Sequence, residues 1–354
     1  MKVTGYETYL VRVPYEETRG PAPQIILRLL TDEGFDGIAY VTPLVHWTVK
    51  PIRAAVEAMA EQVIGCDPMA VETINAKLIS RLSRPQHDGL GRSAASLIDI
   101  ALWDLKGKAL GQPLWRLLGA SENKVRTYAS WNLWYTYDIE TLAQHGAEAV
   151  EKGFRAMKFR LGGVKTREEC LDRAEALREA VGPDVDLMVD MNWSWTVDKT
   201  IRICSEFEDY GLIWIEDPIP ADQYDGLAEI SAALQTPICS GETYHEAGQF
   251  HAALQRRAFD IAMIDLECGG ITEWIKLANV VNSYNVPVAS HMCTEVSMHV
   301  VAATGGMIVE YIPWMVPLFK EVPPVVDGYI ELPEKPGLGV ELDMAAVSHF
   351  AADR

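Results

Sequence analysis

Nowhere in the 354 residues do about twenty apolar residues run uninterrupted, so no segment reads as a bilayer-spanning helix. The opening stretch, MKVTGYETYLVRVPYEETRG, lacks the apolar core of an export signal and reads as a strand. Basic residues are in deficit: 31 Lys and Arg stand against 50 Asp and Glu, a formal charge of −19. Such a surface does not attract a polyanion through bulk charge, which argues against nucleic acid and an anionic membrane as partners. A small anionic substrate stays allowed, because a local cation cluster or a metal reverses the sign inside one cleft. The six cysteines (Cys66, Cys170, Cys204, Cys239, Cys268, Cys293) form no C-x-x-C and no framework spacing, so a reduced, cytoplasmic chain is expected. No G-x-G-x-x-G follows a first strand, which weakens a dinucleotide-binding, doubly wound sheet.

What is present is ordinary globular composition, 49% hydrophobic and 23% charged. The first third is mixed: strand patterns over 2–13 and 24–31, then FDGIAYV after a TDEG turn, predict a small antiparallel sheet. Helical periodicity follows over 48–64, 68–83 and 93–111, the last starting at a serine and ending near Gly111. From about residue 124 the chain becomes a relay of short apolar runs (VRTYAS, FRAMKFRL, VDLMVD, LIWIED, TPICSGE, DIAMID, VPVASH, MIVEYIP) separated by helical segments such as TREECLDRAEALREAV. Eight such runs predict a closed (β/α)8-type parallel barrel. The Pro- and Gly-rich tail from about 319 reads as an extended return segment.

The runs end in charge. Asp190 closes LMVD, Glu216 closes IWIE and Glu242 follows ICSG, successive acids 26 residues apart. In a parallel barrel these strand ends meet at one face, where three carboxylates repel one another unless a cation or shared protons neutralise them. Oxygen-only donors point to Mg2+, with Mn2+ as the alternative, and away from zinc. A single strand-end acid is more often a helix cap; three at equal spacing favour metal. Lys158 and Arg160 share one face of FRAMKFRL, and two inward cations need anions to face. Farther on, Asp265 ends IAMID, His291 ends VPVASH and Glu310 ends MIVE. A histidine beside a carboxylate on the next strand is a better base than either alone.

These elements together resemble the enolase superfamily, mandelate racemase subgroup, over nearly the full length. The resemblance rests on the helix SAASLIDIALWDLKGKALGQPLWRLLGA, the K-x-R strand, Asp190-Met-Asn192, Ile215-Glu216-Asp217-Pro218, Gly241-Glu242, Gly269-Gly270-Ile271-Thr272-Glu273, Ser290-His291, Glu310 and PGLGVELD. It implies an α/β fold, a modified (β/α)7β TIM-like barrel with an N-terminal α+β capping domain. The domains would be 1–121 for the cap, 122–318 for the barrel and 319–354 for a segment returning to the cap. It further implies that Asp190, Glu216 and Glu242 hold Mg2+, that His291 is the general base with Asp265 as its partner, and that Glu310 meets the substrate carboxylate. Asn192 and Lys158 match polar groups near metal and substrate. Tyr15, Arg19, His46 and Trp47 are candidates for reading substrate from capping loops, while Trp134, Trp193 and Trp195 line the cavity or pack the core. A homo-oligomer, dimer or octamer, is expected by resemblance alone.

Two departures carry weight. Relatives in this subgroup usually read K-x-K; Arg160 stays protonated and is a clamp rather than a second base. The interval from Asp265 to Gly269 is one residue short, so either a loop deletion leaves Asp265 in place or a slip puts Ile264 at the dyad position. To approach an anionic substrate Glu310 must be protonated or meet a hydroxyl donor, and the clustered acids are expected to help raise it. The chemistry that follows is abstraction of the proton α to a carboxylate, an enediolate, and loss of a β-hydroxyl to give a 2-keto-3-deoxy acid. The expected function is therefore a sugar-acid (aldonate or aldarate) dehydratase, a carbon–oxygen lyase. A racemase or epimerase of a 2-hydroxy acid, or a lactone cycloisomerase, is the alternative. A non-catalytic sugar-acid binder has no need of the base.

Overall fold

The computed structural model describes residues 1–14, 22–82 and 89–352. Strands β1 (Val3–Val13), β2 (Ala22–Thr31) and β3 (Asp36–Val41) form an antiparallel sheet in that order. Helices α1 (Val49–Val63) and α3 (Leu90–Leu110) pack on it, α2 (Val71–Arg81) packs against α3, and the short α4 (Leu114–Leu117) follows. α3 is buried along nearly its whole length, and small residues such as Ala94, Ala95 and Ala101 let it lie tightly between the sheet and the second unit. It begins a few residues before the serine that marked its start in the sequence.

The second unit alternates strand and helix: β4 (Lys124–Ala129), α5 (Ile139–Glu151), β5 (Ala156–Arg160), α6 (Arg167–Val181), β6 (Asp186–Asp190), α7 (Val197–Cys204), β7 (Leu212–Glu216), α8 (Tyr224–Ala233), β8 (Ile238–Ser240), α9 (Ala247–Gln255), β9 (Ile261–Asp265), α10 (Ile271–Asn282), β10 (Val288–His291), α11 (Thr294–Thr304) and β11 (Val309–Tyr311). Strands β4 to β10 pair in parallel in chain order. β11 pairs β4 and bridges β10 through Ala289 and Ile308, which closes the ring. Among the described residues β11 is followed by a 3-10 turn, Pro313–Leu318, in place of an eighth helix. The eight-helix expectation from the strand runs is thus corrected to (β/α)7β; Pro317, inside that segment, lacks the N–H a continuing α-helix would need. Several helices are entered through a side-chain cap; Thr166 and Thr196 accept the N–H of Glu169 and Lys199.

Inside the ring the two-residue strand period sends alternate side chains inward. The floor is apolar, with Tyr128, Met188, Trp214, Cys239, Met263, Ala289 and Ile308 packed together. The tail is not simply extended. β12 (Val325–Val326) and β13 (Tyr329–Glu331) form a hairpin whose second strand pairs the start of β4. The chain then runs to α3, where the buried Asp104 carboxylate accepts the N–H of Ile38 at 2.9 Å, the N–H of Leu338 at 2.8 Å and Lys108 Nζ at 2.7 Å. A last helix, α12 (Met344–His349), is capped by Asp343, and Ala351 then bridges Val11 of β1.

Candidate active site

One two-residue step beyond the floor, the inward positions turn ionic. Arg160, Asp190 and Glu216 are register partners across β5, β6 and β7, and His291 is the register partner of Asp265 across β10 and β9. Lys158 is 1% exposed and its ammonium donates to Glu216, with Glu310 Oε1 at 3.1 Å and Asp190 Oδ2 at 4.0 Å. Burial works against that charge, yet Glu216, Glu310 and Asp190 hold Lys158 well above the ordinary lysine range. Arg160 Nε lies 3.4 Å from Asp190 Oδ2, its Nη2 donates to Ser130 Oγ at 2.9 Å, and its guanidinium sits 4.0 Å over the Trp134 ring.

Glu216 is pushed up to about 8, first by burial and then by Asp190, Glu242 and Glu310, with Lys158 opposing. Asp190 accepts both the backbone N–H and the side-chain amide of Asn192, at 2.8 and 2.9 Å. His291 Nδ1 is hydrogen-bonded to Asp265 Oδ2, and its Nε2 lies 3.2 Å from Glu242 Oε2. Burial lowers the imidazole's affinity for a proton, but Glu242, Asp265 and Glu310 outweigh it and raise His291 well above the ordinary range.

Of the two expectations for Glu310, the raised, neutral acid is overturned and the hydroxyl donor remains. Burial favours its protonated form, but Lys158, His291 and Arg160 bring it down to about 2. Its oxygens are fully engaged: Ser130 Oγ donates to Oε1 at 2.6 Å and the Met292 N–H to Oε2 at 2.6 Å. The sequence showed the neighbouring acids; it did not show that the Lys158 stem reaches across the ring.

Among the described residues no three His, Cys, Asp or Glu side chains are gathered into a ready cage for a metal. Glu216 is engaged by Lys158 and Glu242 by His291. The donor set nonetheless fits a hard divalent cation: three carboxylates, all oxygen, at consecutive strand ends, two of them pushed up by burial and by neighbouring carboxylates, Asp190 among them in both cases. A cation placed there relieves that repulsion.

A cavity of about 360 Å³ opens above this ring, with Arg160, Asp190, Asn192, Glu242 and His291 on its floor and Trp134, Tyr135, Trp193 and Trp314 on its walls. Backbone strain gathers at the same mouth: Asn192 (φ 45°), Trp193 (56°), Asp217 (40°), Met292 (50°) and Cys293 (48°) take left-handed conformations just past β6, β7 and β10. Of the capping-loop candidates, Tyr15 and Arg19 lie outside the described residues. His46 and Trp47 sit on an exposed 3-10 turn and are not among the cavity-lining residues; Leu44 takes that place. His46 turns to solvent because Leu44 and Val45, just before it, already put the chain at the rim. Trp195 packs in the core.

The short interval after β9 leaves Asp265, not Ile264, beside His291, while Ile264 points into the outer core and its carbonyl accepts Trp274 Nε1 at 3.1 Å. Sequence reasoning missed Ser130, which links Arg160 to Glu310, and Asp217, a buried carboxylate taking Ser240 Oγ at 2.5 Å. Asp217 stood in plain view in Ile215-Glu216-Asp217-Pro218, whereas nothing local marks Ser130.

Comparison with known proteins agrees with this architecture. The mandelate racemase / muconate lactonizing enzyme N-terminal domain model matches residues 8–119, and the enolase C-terminal domain-like model matches 141–346. L-talarate/galactarate dehydratase of Salmonella typhimurium is 31% identical over 324 residues, 91% of this chain and 81% of that protein. D-galactarolactone cycloisomerase of Agrobacterium fabrum is 30% identical over 382 residues, 99% of both chains. The crystal structure of a racemase from Streptomyces coelicolor with bound magnesium superposes with a TM-score of 0.92 at 29% identity, covering 99% of this chain and 100% of that one.

Proposed function

The chain belongs to the mandelate racemase and muconate lactonizing enzyme family, and on that premise we propose that it is a Mg2+-dependent sugar-acid dehydratase. Asp190, Glu216 and Glu242 would hold the ion, which supplies positive charge to the substrate carboxylate as the α-proton leaves. The observation that carries the reading is the His291–Asp265 pair, with Nδ1 anchored on Asp265 and Nε2 turned toward Glu242 at the cavity floor. Anchoring fixes which ring nitrogen faces substrate; with a cation at Asp190, Glu216 and Glu242 offsetting the carboxylate charge that raises His291, the imidazole would be neutral, take the α-proton at Nε2 and return it to the departing β-hydroxyl. Glu310 is an anion in this reading. It orients Lys158, Ser130 and the Met292 N–H, and any substrate group meeting it must be a donor. Lys158 and Arg160 stay charged and bind the substrate's oxygens.

Arg160 argues against two-base racemisation, since a guanidinium cannot accept a proton on the face opposite His291. The full-length match to a cycloisomerase keeps lactone isomerisation as a second reading, because it needs the same proton removal. We divide the chain as cap 1–121, barrel 122–318 and return segment 319–354, a division supported by the bounds of the two family models. Among the described residues no helix is long and apolar enough to cross a membrane. We place the enzyme in the cytoplasm, as a homo-oligomer, acting on a small carboxylate.

The test is a library of aldonates, aldarates and their lactones incubated with the protein and Mg2+ in D2O. The expected result is a 2-keto-3-deoxy acid from one member, with no C2 epimer building up. Consumption of a lactone without keto acid would favour cycloisomerisation, and epimer forming as fast as keto acid would show a second base.

A further inference from the structure

The turn that follows Asp265 is held almost wholly from the other unit. Asp265 caps a three-residue 3-10 turn, Leu266–Cys268, and its Oδ1 accepts the Glu267 N–H at 2.5 Å while its Oδ2 holds His291. The Glu267 carboxylate then takes the hydroxyl of Ser93, from the first turn of α3. Next to it Arg92 donates to the Cys268 carbonyl at 3.0 Å and to Glu246 at 2.7 Å, and Asn75 of α2 donates to the Gly269 carbonyl at 2.9 Å. Gly270 has φ +90°, and a Cβ there would come within 2.6 Å of the Asp99 side chain, so the turn is pressed directly against α3. Glu267 has no part in the proposed chemistry, yet it is partly buried beside Asp265. Burial, with Asp265 adding to it, lifts its carboxyl to about 7, while Ser93 and His291 pull the other way. Partly burying one acid beside another is costly, and a glutamine would fill the space more cheaply.

Resting on the dehydratase reading, we infer that Glu267 is a positioning residue: its hydrogen bond to Ser93 across the seam fixes the turn whose Glu267 N–H orients Asp265, and through it the His291 ring. The capping unit thereby sets the direction of the base as well as covering the substrate. Outer partners of this kind change activity without touching substrate.

The experiment uses the full chain with Mg2+, in the variants Glu267→Ala, Ser93→Ala, their double, and Glu267→Gln. One readout needs no substrate: the downfield Nδ1 proton resonance of His291, assigned by its loss in His291→Asn. The other is α-proton exchange on the sugar acid found in the screen. Glu267→Ala and Ser93→Ala should each lower kcat about tenfold with KM little changed. Both should shift or broaden the His291 resonance, and the double should lose no more than either single, because the two remove one interaction. Glu267→Gln keeps an acceptor for Ser93 and should restore both readouts. An unchanged resonance and kcat in Glu267→Ala, additive losses in the double, or a kcat loss equal in the Ala and Gln variants and tracking Tm would each overturn the inference. Failure of the wild-type chain to turn over any sugar acid would instead strike the dehydratase reading, leaving the resonance to decide the role of Glu267.

Discussion

The floor and the mouth of this barrel are built by the same strands, one two-residue step apart. Met188 gives way to Asp190, Trp214 to Glu216, Met263 to Asp265, Ala289 to His291 and Ile308 to Glu310. Two residues advance about 6.6 Å along a strand, so the change from oil to charge takes less than the width of a helix. Both layers are buried except His291, which is partly exposed to the cavity. A chain selected for stability alone would continue the apolar layer, since buried ion pairs often stabilise less than the hydrophobic residues that could replace them. The difference teaches that the floor mainly supplies stability and the mouth spends part of it on chemistry; the two meet at Glu216, which takes both Lys158, the register partner of Met188, and Trp214 Nε1.

The comparison breaks most sharply at His291. His291→Asn cannot accept the α-proton, and solvent deuterium incorporation measured by NMR should fall by about 10²–10⁴ with the fold intact. If exchange persisted at the normal rate, the mouth would hold another base and Lys158 would be examined first. The floor should behave the opposite way. Met188→Ala should lose about 2–5 kcal/mol in denaturant unfolding while turnover per folded molecule stays near wild type; a collapse of turnover instead would mean the layers are not separable.

Two histidines sharpen the point. His291, among carboxylates, is raised; His299, whose Nε2 faces the Leu338 carbonyl at 3.1 Å, is lowered by burial from 6.5 to about 4. The folded chain keeps His299 neutral where the unfolded chain takes up a proton. Its contribution to stability is therefore full above pH 6.5 and is lost as pH falls through about 4. The wild-type advantage over His299→Gln should shrink by up to about 3 kcal/mol between pH 7 and pH 4. A pH-independent difference in paired unfolding curves would contradict it. Glu216→Gln returns to the mouth. Wild type should gain about 2.7 kcal/mol of stability at a Mg2+ concentration of a hundred times Kd, and the variant should gain almost none in the same thermal-shift titration.

Much of this was legible before any coordinates. The eight strands announce themselves because each is a short apolar run, and the mouth announces itself because the runs end in charge. The apolar run IAMI favours Asp265 as the strand end, but the short interval to Gly269 leaves a slip open until the register of β9 and β10 is seen. What was not legible depends on reach. The charge on Glu310 is set by a lysine two strands away, and Ser130 becomes functional only when β4 lies between β5 and β11. Helix α12 was hidden behind a Pro- and Gly-rich stretch, although Asp343 before Met-Ala-Ala-Val carries an ordinary capping signal. His46 and Trp47 illustrate a different limit: they sit on an exposed turn off the cavity lining, and an exposed turn has no periodicity to read.

The return of residues 337–352 to α3 and β1 bears on the order in which the molecule can be assembled on a ribosome. The cap is a discontinuous unit: its sheet is made first, but the strand edge at Val11 and the Asp104 carboxylate receive their partners only after every barrel strand has been synthesised. Until then β1 presents an open edge and Asp104 an unsatisfied oxygen, the kind of surface on which nascent chains stick to one another or to chaperones. Completion of the cap thus reports that the barrel has been made.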